Sequence, residues 1–452
     1  MPLFKLSDIR SSKDQDKKAV SKSRRSSNAG VIVKGKKGND LLTRINEIRG
    51  VVEKNLGQYA DEYQVIMDQT ILHDFISEAI HNGYIAIDTE TEGLDPLQNR
   101  IAGICPFTPG QKSAYIPLNH MSCITNAPTP SQLDIDFVAG EFKRLFNSHP
   151  EVDMFNANFD VRVLRNQAKI DNAYCTWDGF IASKLLNENE LEANLKTLHD
   201  KYCLGGQGDA FRFDDLFKGI PFTYIPIHTA YLYAGHDPII TYELCEYQRK
   251  YLRPDSDRED MRAIYWVFKN IEMPCVQVVT QMEDTGVLVD LEYQKELSVK
   301  YHKLLDDNLR EVYDEIGKYQ DQIDKYKRSH PDSKLDDPIN LNSPPQIAVL
   351  LYDILGIKSV DKKKPRGTGE EILTKIDNPI CKSLLKYRGN QKLISTYIDK
   401  LPDCINPKDG RIHCKFNQYG AKTGRFSSED PNLQNIPSHN KDIRKMFIAS
   451  EG

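Results

Sequence analysis

The first half of the chain alternates short β-branched stretches with segments of helical periodicity. The run Tyr-Ile-Ala-Ile-Asp-Thr-Glu at 84–90 predicts a strand, because its Ile, Thr and Tyr side chains favour extended backbone. A second strand is predicted at 113–118. Helices are predicted at 137–147, 158–168, 178–187 and 229–250. Strands that alternate with helices indicate an α/β domain, which we place at residues 59–252.

From about residue 256 the pattern changes to long helices. Apolar residues recur at spacings of three and four, which predicts a helix packed against other helices. These residues are Leu297, Tyr301, Leu304, Leu305, Leu309, Val312, Tyr313 and Ile316. A charged loop with two prolines is expected at 327–340, and further helices at 344–355, 369–376 and 378–400. Strand-like runs follow at 412–416 and 445–449. We therefore expect a helical segment at 253–405 and a β-containing segment at 406–452.

Charge is distributed unevenly along the 452 residues. The net formal charge is −5, but residues 1–40 carry 11 Lys and Arg against 4 Asp, a balance of +7, so the remainder carries −12. This Ser-, Lys- and Gly-rich start predicts a disordered basic tail, placed at residues 1–58, that either improves solubility or tethers DNA. Elsewhere, any DNA contact must come from local basic patches or from metal ions.

Other classes of protein are disfavoured by composition. No apolar run approaches the ~18 residues of a membrane helix, and the N-terminus lacks the apolar core of a signal peptide. We therefore expect a soluble, cytoplasmic protein with no membrane partner. The nine cysteines show no Cys-x-x-Cys pair, which predicts reduced thiols and argues against a zinc site.

Four carboxylates stand in three short clusters along the first domain. Asp88 and Glu90 lie two residues apart on a predicted strand, so their side chains share a face. Asp160 is expected near the start of a helix. Tyr233 and Asp237 would share one face of a continuous helix. Carboxylate oxygens are the ligands that hard divalent cations prefer, so the set predicts a metal site.

The last of these carboxylates has two open geometries. Pro238 follows Asp237 directly, and a residue before proline avoids the helical region. The helix can therefore kink or restart here, which would place Asp237 at the N-cap. Each acid taken alone could also be a solvated or capping residue. The ordered set of four favours the metal site.

These four acids, with Tyr233 four residues before Asp237, resemble the tyrosine subclass of proofreading 3′–5′ exonucleases. The resemblance implies a ribonuclease H-like fold and two Mg²⁺ or Mn²⁺ ions held by the four carboxylates. Tyr233 would orient the attacking water rather than act as the base. Three residues, by resemblance, would complete the site: Leu94 as a wedge against the terminal base, Phe213 stacked on the next base, and Asn156 as a DNA contact beside Asp160.

The second half resembles family A DNA polymerases. The most specific motifs are Thr-Gly-Arg-Phe-Ser-Ser at 423–428 and Asn-Leu-Gln-Asn-Ile-Pro at 432–437. Glu-Met-Pro at 272–274 and Tyr-Arg-Gly-Asn-Gln-Lys-Leu at 387–393 are similar to the entry helix and the thumb. The resemblance covers about residues 65–452 and implies a mainly helical thumb followed by an incomplete palm. It predicts that a primer–template and single-stranded 3′ ends are the DNA partners.

The polymerase resemblance also implies specific DNA contacts. Arg425 would reach the minor groove, where base pairs share acceptors. Arg388 and Lys392, one helical turn apart, would bind phosphates. Gln434 and Asn435 belong to the same motif region and are expected to contact DNA.

Three functions stay open on the sequence alone. The leading one is a metal-dependent 3′–5′ proofreading exonuclease joined to the front part of a family A DNA polymerase in DNA replication. The alternatives are a DNA-binding subunit with an idle nuclease site and an RNA-trimming exonuclease of the same fold. In the family, the polymerase carboxylates come after the point that residue 452 reaches. We therefore expect either a fragment or a split polymerase, completed by a second polypeptide carrying the remaining palm and fingers.

Overall fold

A computed structural model describes residues 39–206, 217–421 and 423–450 of the protein. Phe213 and the first 38 residues of the predicted tail lie outside these ranges. Within them, no helix is both long enough and apolar enough to cross a bilayer.

The predicted tail does not extend to residue 58, because Asn39–Leu56 forms a helix, α1. Its buried side chains Ile48 and Val52 pack into a cluster that includes Leu232 of the α/β domain. Burying such side chains contributes roughly 1.5–3 kcal/mol each. The apolar positions lie three and four residues apart among charged residues, a spacing that the compositional argument for a tail overlooked.

A six-stranded mixed sheet forms the centre of the α/β domain. Its strands are β1 (Tyr63–Val65), β2 (Tyr84–Thr91), β3 (Ile101–Phe107), β4 (Ser113–Pro117), β5 (Glu151–Met154) and β6 (Trp177–Asp178). They lie in the order β1-β4-β3-β2-β5-β6, and β2 pairs antiparallel with β3 and parallel with β5. The predicted strands at 84–90 and 113–118 are confirmed. Ile85 and Ile87 of β2 are fully buried, so the central strand is anchored on the core side.

Seven more helices surround this sheet: α2 (Gln69–Asn82), α3 (Ile135–Asn147), α4 (Ala157–Asn166), α5 (Gly179–Leu186), α6 (Leu195–Cys203), α7 (Ile227–Ala234) and α8 (His236–Arg249). The predicted helices at 137–147, 158–168 and 178–187 are confirmed. The single helix predicted at 229–250 is wrong, because the chain forms α7 and α8 with Gly235 between them.

The second half is mainly helical, as predicted. Its helices are α9 (Glu259–Val267), α10 (Met273–Thr285), α11 (Leu291–Gly317), α12 (Gln320–Ser329), α13 (Pro344–Ala348), α14 (Glu370–Leu373), α15 (Pro379–Leu393) and α16 (Lys441–Lys445). Val312 and Ile316 of the predicted apolar stripe are buried in the helical core, whereas Leu304 is 38% exposed.

Five short strands complete this half: β7 (Val287–Val289), β8 (Arg411–Ile412), β9 (Lys415–Asn417), β10 (Ser427–Glu429) and β11 (Phe447–Ile448). They form a β9–β10 hairpin and a three-stranded sheet in the order β11-β7-β8. The strand predicted at 445–449 is therefore shorter than expected, because its first residue ends α16.

A buried histidine, His120, holds the segment that leads into α7. The His120 ring is 1% exposed; its Nδ1–H donates to the Ile225 carbonyl at 2.8 Å, and Nε2 accepts from the Tyr115 hydroxyl at 2.5 Å. Both ring nitrogens are therefore satisfied only in the neutral form. Burial lowers the pKa of His120 to about 4 from an ordinary 6.5.

His120 should make the stability of the protein depend on pH. Because the pKa of the folded state lies below that of the unfolded state, the unfolded chain binds more protons between pH 6.5 and 4, and stability falls as the pH falls through this window. Going from pH 7 to pH 5 should cost about 2 kcal/mol through this group. In chemical denaturation, His120→Gln should flatten this slope, whereas the exposed control His228→Gln should keep it. Equal slopes in the two variants would contradict the assignment.

Candidate active site

Asp88 and Glu90 project from the C-terminal part of β2. Their neighbours across the sheet are Cys105 and Gly103 of β3. Because side chains alternate along a strand, the two acids point the same way, as predicted. The carboxyl end of a central strand is also where α/β sheets usually bind ligands.

Asp237 reaches the same place from the first turn of α8. A new helix does begin near Pro238, one of the two alternatives anticipated, but its N-cap is Gly235, and Asp237 lies within the first turn rather than at the N-cap. Proline is tolerated in a first turn because the amide it lacks would have no partner there. The neighbouring His236 is engaged elsewhere, since its Nδ1 lies 3.1 Å from the Tyr63 hydroxyl.

These three carboxylates form one cluster. A ligand oxygen from each of Asp88, Glu90 and Asp237 lies within 4.8 Å of the others. All three side chains are half-buried. Burial and the charge of Asp237 raise the pKa of Glu90 well above its ordinary value, and burial followed by the charge of Asp160 does the same for Asp88. The protein thus concentrates negative charge where ordinary side-chain packing does not require it.

Asp160 lies beside this cluster rather than within it. It is 3% exposed on the first turn of α4, and its Oδ1 accepts a hydrogen bond from Thr89 Oγ1 at 2.6 Å. Burial raises the pKa of Asp160 to about 7, against the hydrogen bond from Thr89, which lowers it. The charge of Asp160 still raises the pKa of Asp88. The fourth predicted ligand is therefore close enough to the cluster to interact with it.

The donor set fits a divalent cation. All the donors are hard carboxylate oxygens. Within the described part of the chain, Asp237 Oδ1 is buried and accepts no hydrogen bond, although the Lys196 ammonium stands 3.0 Å away as an ion-pair partner. A buried carboxylate oxygen next to other carboxylates is a suitable ligand for a divalent cation.

Tyr233 borders the cluster from α7. Its ring packs at 4.9 Å from that of Phe217 and at 5.9 Å from that of Phe222, as measured between centroids. The Lys196 ammonium lies over the same ring, 4.3 Å from the centroid. The ring is therefore fixed from several sides although Tyr233 and Asp237 belong to different helices.

Leu94 and Asn156 line one cleft of the molecule. Leu94 is 76% exposed, and Asn156 is exposed with a left-handed φ of +64° directly before α4. The cleft has a volume of about 330 Å³ and is lined by both of these residues, by Phe159, and by Phe416 and Tyr419 of the second half. An exposed apolar side chain, an exposed amide and half-buried aromatic rings around one groove suit an unpaired nucleic acid strand.

Sequence reasoning missed Asp178, which organises two helix ends. Its carboxylate accepts from the amides of Asn156 (3.1 Å) and Ala157 (2.8 Å) at the start of α4, and from Phe180 (2.8 Å) at the start of α5. The sequence Asp-Gly-Phe-Ile marks the α5 cap. The bond to α4 spans 22 residues and has no local signature.

A buried ion pair that joins the two halves of the molecule was also not predicted from the sequence. Arg162 of α4 donates to Glu283 (2.5 Å) and Asp284 (2.7 Å) at the end of α10. The amide of Phe416 in β9 donates to the same Glu283 carboxylate at 2.6 Å, and Asn158 does so at 2.9 Å. The helix that carries Asp160 is therefore bound to the second half of the chain.

The predicted contacts of the second half differ in their exposure. Arg425, Lys392, Gln434 and Asn435 are exposed. Arg388 is half-buried, and its guanidinium donates to the carbonyls of Leu341 (2.7 and 3.0 Å) and Thr368 (2.7 Å). Three of its five N–H groups are thus engaged within the chain, and its contact with phosphate stays a prediction. These bonds join α15 to the segments that contain Leu341 and Thr368.

Comparisons with known proteins agree with this architecture. Residues 63–253 match the family model of a 3′–5′ exonuclease, and residues 306–452 match that of DNA polymerase family A. The chain is 31% identical over 405 residues to a DNA polymerase I of Chloroflexus aurantiacus, a match that covers 86% of this chain and 39% of that protein. It is also 31% identical over 433 residues to a DNA polymerase I of Pseudomonas aeruginosa, with 91% and 43% covered. The chain thus spans about two fifths of the length of these relatives.

A solved structure is similar over most of the chain. It is described as the POL domain of Pol1 from M. smegmatis in complex with DNA primer-template and dNTP. The TM-score is 0.63, with 20% identity, and the match covers 86% of this chain and 59% of that one. At this identity the likeness shows a shared fold.

Proposed function

We propose that this chain, which belongs to the family A DNA polymerases and carries a 3′–5′ exonuclease domain, removes nucleotides from single-stranded 3′ ends of DNA and thereby proofreads a primer during replication. The observation that carries the proposal is the close approach of Asp88, Glu90 and Asp237, with ligand oxygens within 4.8 Å of one another. Tyr233 and Asp160 border that cluster. The setting would be the cytoplasm of a bacterial or phage-infected cell.

The carboxylates would hold two divalent cations, Mg²⁺ or Mn²⁺. Asp88, Glu90 and Asp237 would hold one ion, and Asp160, which lies beside them, would help to hold the other. Bound ions of this kind lower the pKa of water and stabilise the leaving oxygen of a phosphodiester. Thr89 holds the Asp160 carboxylate in place, and burial of the cluster favours its occupation by cations over free negative charge.

The remaining residues would select and position the DNA end. The Tyr233 hydroxyl would orient the attacking water by a hydrogen bond. Packing of its ring against Phe217 and Lys196 holds the hydroxyl in a fixed position for this role. The exposed Leu94 wedges against the terminal base, and Asn156 contacts the strand beside Asp160. Stacking of this kind tolerates any base, as a nuclease that corrects all mismatches requires.

Removing one negative charge from the cluster should abolish activity while stabilising the fold. Asp88→Asn keeps the shape of the side chain, so digestion of single-stranded DNA in Mg²⁺ should fall at least about 10³-fold, while the melting temperature in EDTA should rise because repulsion is relieved. Tyr233→Phe should slow digestion by about 10- to 100-fold, since it removes an orienting hydroxyl only. Asp171→Asn, an exposed control, should change neither. Normal digestion by Asp88→Asn would refute the metal site.

Proofreading requires a preference for frayed ends. A mismatched primer end should be trimmed faster than a matched one by about one to two orders of magnitude, because unpairing a base costs a few kcal/mol and a mismatch has already met that cost. Gel assays on matched DNA, mismatched DNA and a single-stranded RNA of the same sequence test this. Equal rates on both primers would contradict proofreading, and preference for RNA would support the trimming alternative.

The second half would bind the duplex part of the primer–template. The exposed Arg425, Gln434 and Asn435 support this role, and Lys392 is exposed on α15. In the described residues β11 forms the open edge of its sheet, which is a place where a further strand could pair.

A substitution at Arg425 should affect duplex binding without affecting the digestion of single strands. Arg425→Ala should weaken binding of a primed duplex by about 1–3 kcal/mol, the scale of one groove contact. Digestion of free single strands should be unchanged, because that chemistry belongs to the other domain. Fluorescence anisotropy at fixed salt, with Arg253→Ala as control, measures the first quantity. If Arg425→Ala bound the duplex with unaltered affinity, Arg425 would not be part of the DNA interface.

A further inference from the structure

Lys196 places a positive charge directly against the carboxylate cluster. It is the second residue of α6, whose N-terminus is capped by Asn194. Its ammonium lies 3.0 Å from Asp237 Oδ1 and 3.1 Å from Oδ2, and the two side chains are only 15% and 14% exposed. The same ammonium lies 4.3 Å from the centre of the Tyr233 ring. One cation thus touches both predicted active-site residues around Gly235.

The influence of this charge extends beyond its direct partner. The charge of Lys196 lowers the pKa of both Asp88 and Glu90, against the larger raising effect of burial. An exposed lysine would act weakly at that range because water screens it, but this pair is mostly buried. Lys196 is therefore the nearby positive charge that offsets the repulsion among the three carboxylates.

Holding α6 against α8 does not account for this position. The two helices are already joined by His199 and Glu243, whose Nε2 and Oε2 lie 2.5 Å apart, and Leu198 of α6 is fully buried. A lysine at 196 is not needed for that packing. Its ammonium instead lies where the negative charge of the site is greatest.

We propose that Lys196 is the built-in counter-cation of the carboxylate cluster, which competes with a divalent ion for Asp237 and is drawn to the phosphate of the DNA end when the ion binds. The inference rests on the proposed function, since it takes the cluster to be a metal site. Two cations repel each other at this distance, so metal binding must displace or weaken the Lys196–Asp237 pair. A DNA phosphate is a new partner for the released ammonium.

A thermodynamic coupling follows from this competition. If the phosphate holds Lys196, Asp237 is free for the metal, so DNA and metal each strengthen the binding of the other by the same factor. The protein would then carry its full set of ions mainly when a DNA end is present. Lys196 is a positioning residue in this account, because it acts through Asp237 and the phosphate.

Binding measurements on the full chain test the proposal without any cleavage. Lys196→Met should bind Mn²⁺ at least about fivefold more tightly than wild type in calorimetry without DNA, because the competitor is gone. In EDTA its melting temperature should be lower than that of wild type. A short phosphorothioate oligonucleotide that resists cleavage should tighten Mn²⁺ binding by wild type but not by Lys196→Met. Lys196→Gln, which keeps a hydrogen-bond donor without the charge, should behave like Lys196→Met.

The control is another lysine of the same helix. Lys201 pairs with Glu190 at 2.6 Å, away from the cluster, so Lys201→Met should bind Mn²⁺ as wild type does. If wild type binds Mn²⁺ and both Lys196 variants bind it with unchanged affinity, the counter-cation role is wrong while the metal site stands. If wild type binds no Mn²⁺, the proposed function itself fails.

Discussion

The fold of this protein must overcome the mutual repulsion among the carboxylates of Asp88, Glu90 and Asp237. At separations below 4.8 Å, each pair of full charges costs on the order of 3 kcal/mol at an effective dielectric constant near 20. Nothing in the packing of an α/β core calls for such a cluster. The fold must therefore hold the acids together until cations compensate them.

The fold meets this requirement with rigid elements on each side. β2 is paired on one side with β3 and on the other with β5, so its two acids cannot move apart without breaking the sheet. Asp178 ties the start of α4 to the start of α5, and α4 presents Asp160. Removing Arg162 would leave the buried Glu283 carboxylate without its cation, at a cost of about 3–5 kcal/mol. The Arg162–Glu283 pair is thus a strong link between α4 and the second half of the chain.

The Arg162–Glu283 pair is part of the interface between the two halves of the chain. Glu283 accepts from Arg162 on one side and from the Phe416 amide on the other. A second contact runs from Lys408 Nζ to the Leu97 carbonyl (2.7 Å), in the loop that carries Leu94. The segments proposed to hold the end of a strand are therefore positioned by the half that is proposed to bind the duplex.

Sequence alone predicted the parts of the site that follow local rules. The period of two along a strand placed Asp88 and Glu90 on one face. The proline rule anticipated a break near Pro238, but the break lies at Gly235 and Asp237 is itself helical. Lys196 and Asp237 lie 41 residues apart, so their contact depends on how α6 packs on α8 and has no local signal. The bonds from Arg388 to backbone carbonyls are likewise absent from the local pattern, since its spacing from Lys392 indicates only that the two side chains share a helix face.

The central claim is that the cluster binds divalent metal, and the most direct measurement is anomalous diffraction from crystals of the protein soaked in Mn²⁺. The account predicts a strong anomalous peak between Asp88, Glu90 and Asp237, with a second peak between Asp88 and Asp160 when a single-stranded DNA end is bound. Well-ordered carboxylates with no anomalous peak among them, at a Mn²⁺ concentration that supports digestion, would contradict it.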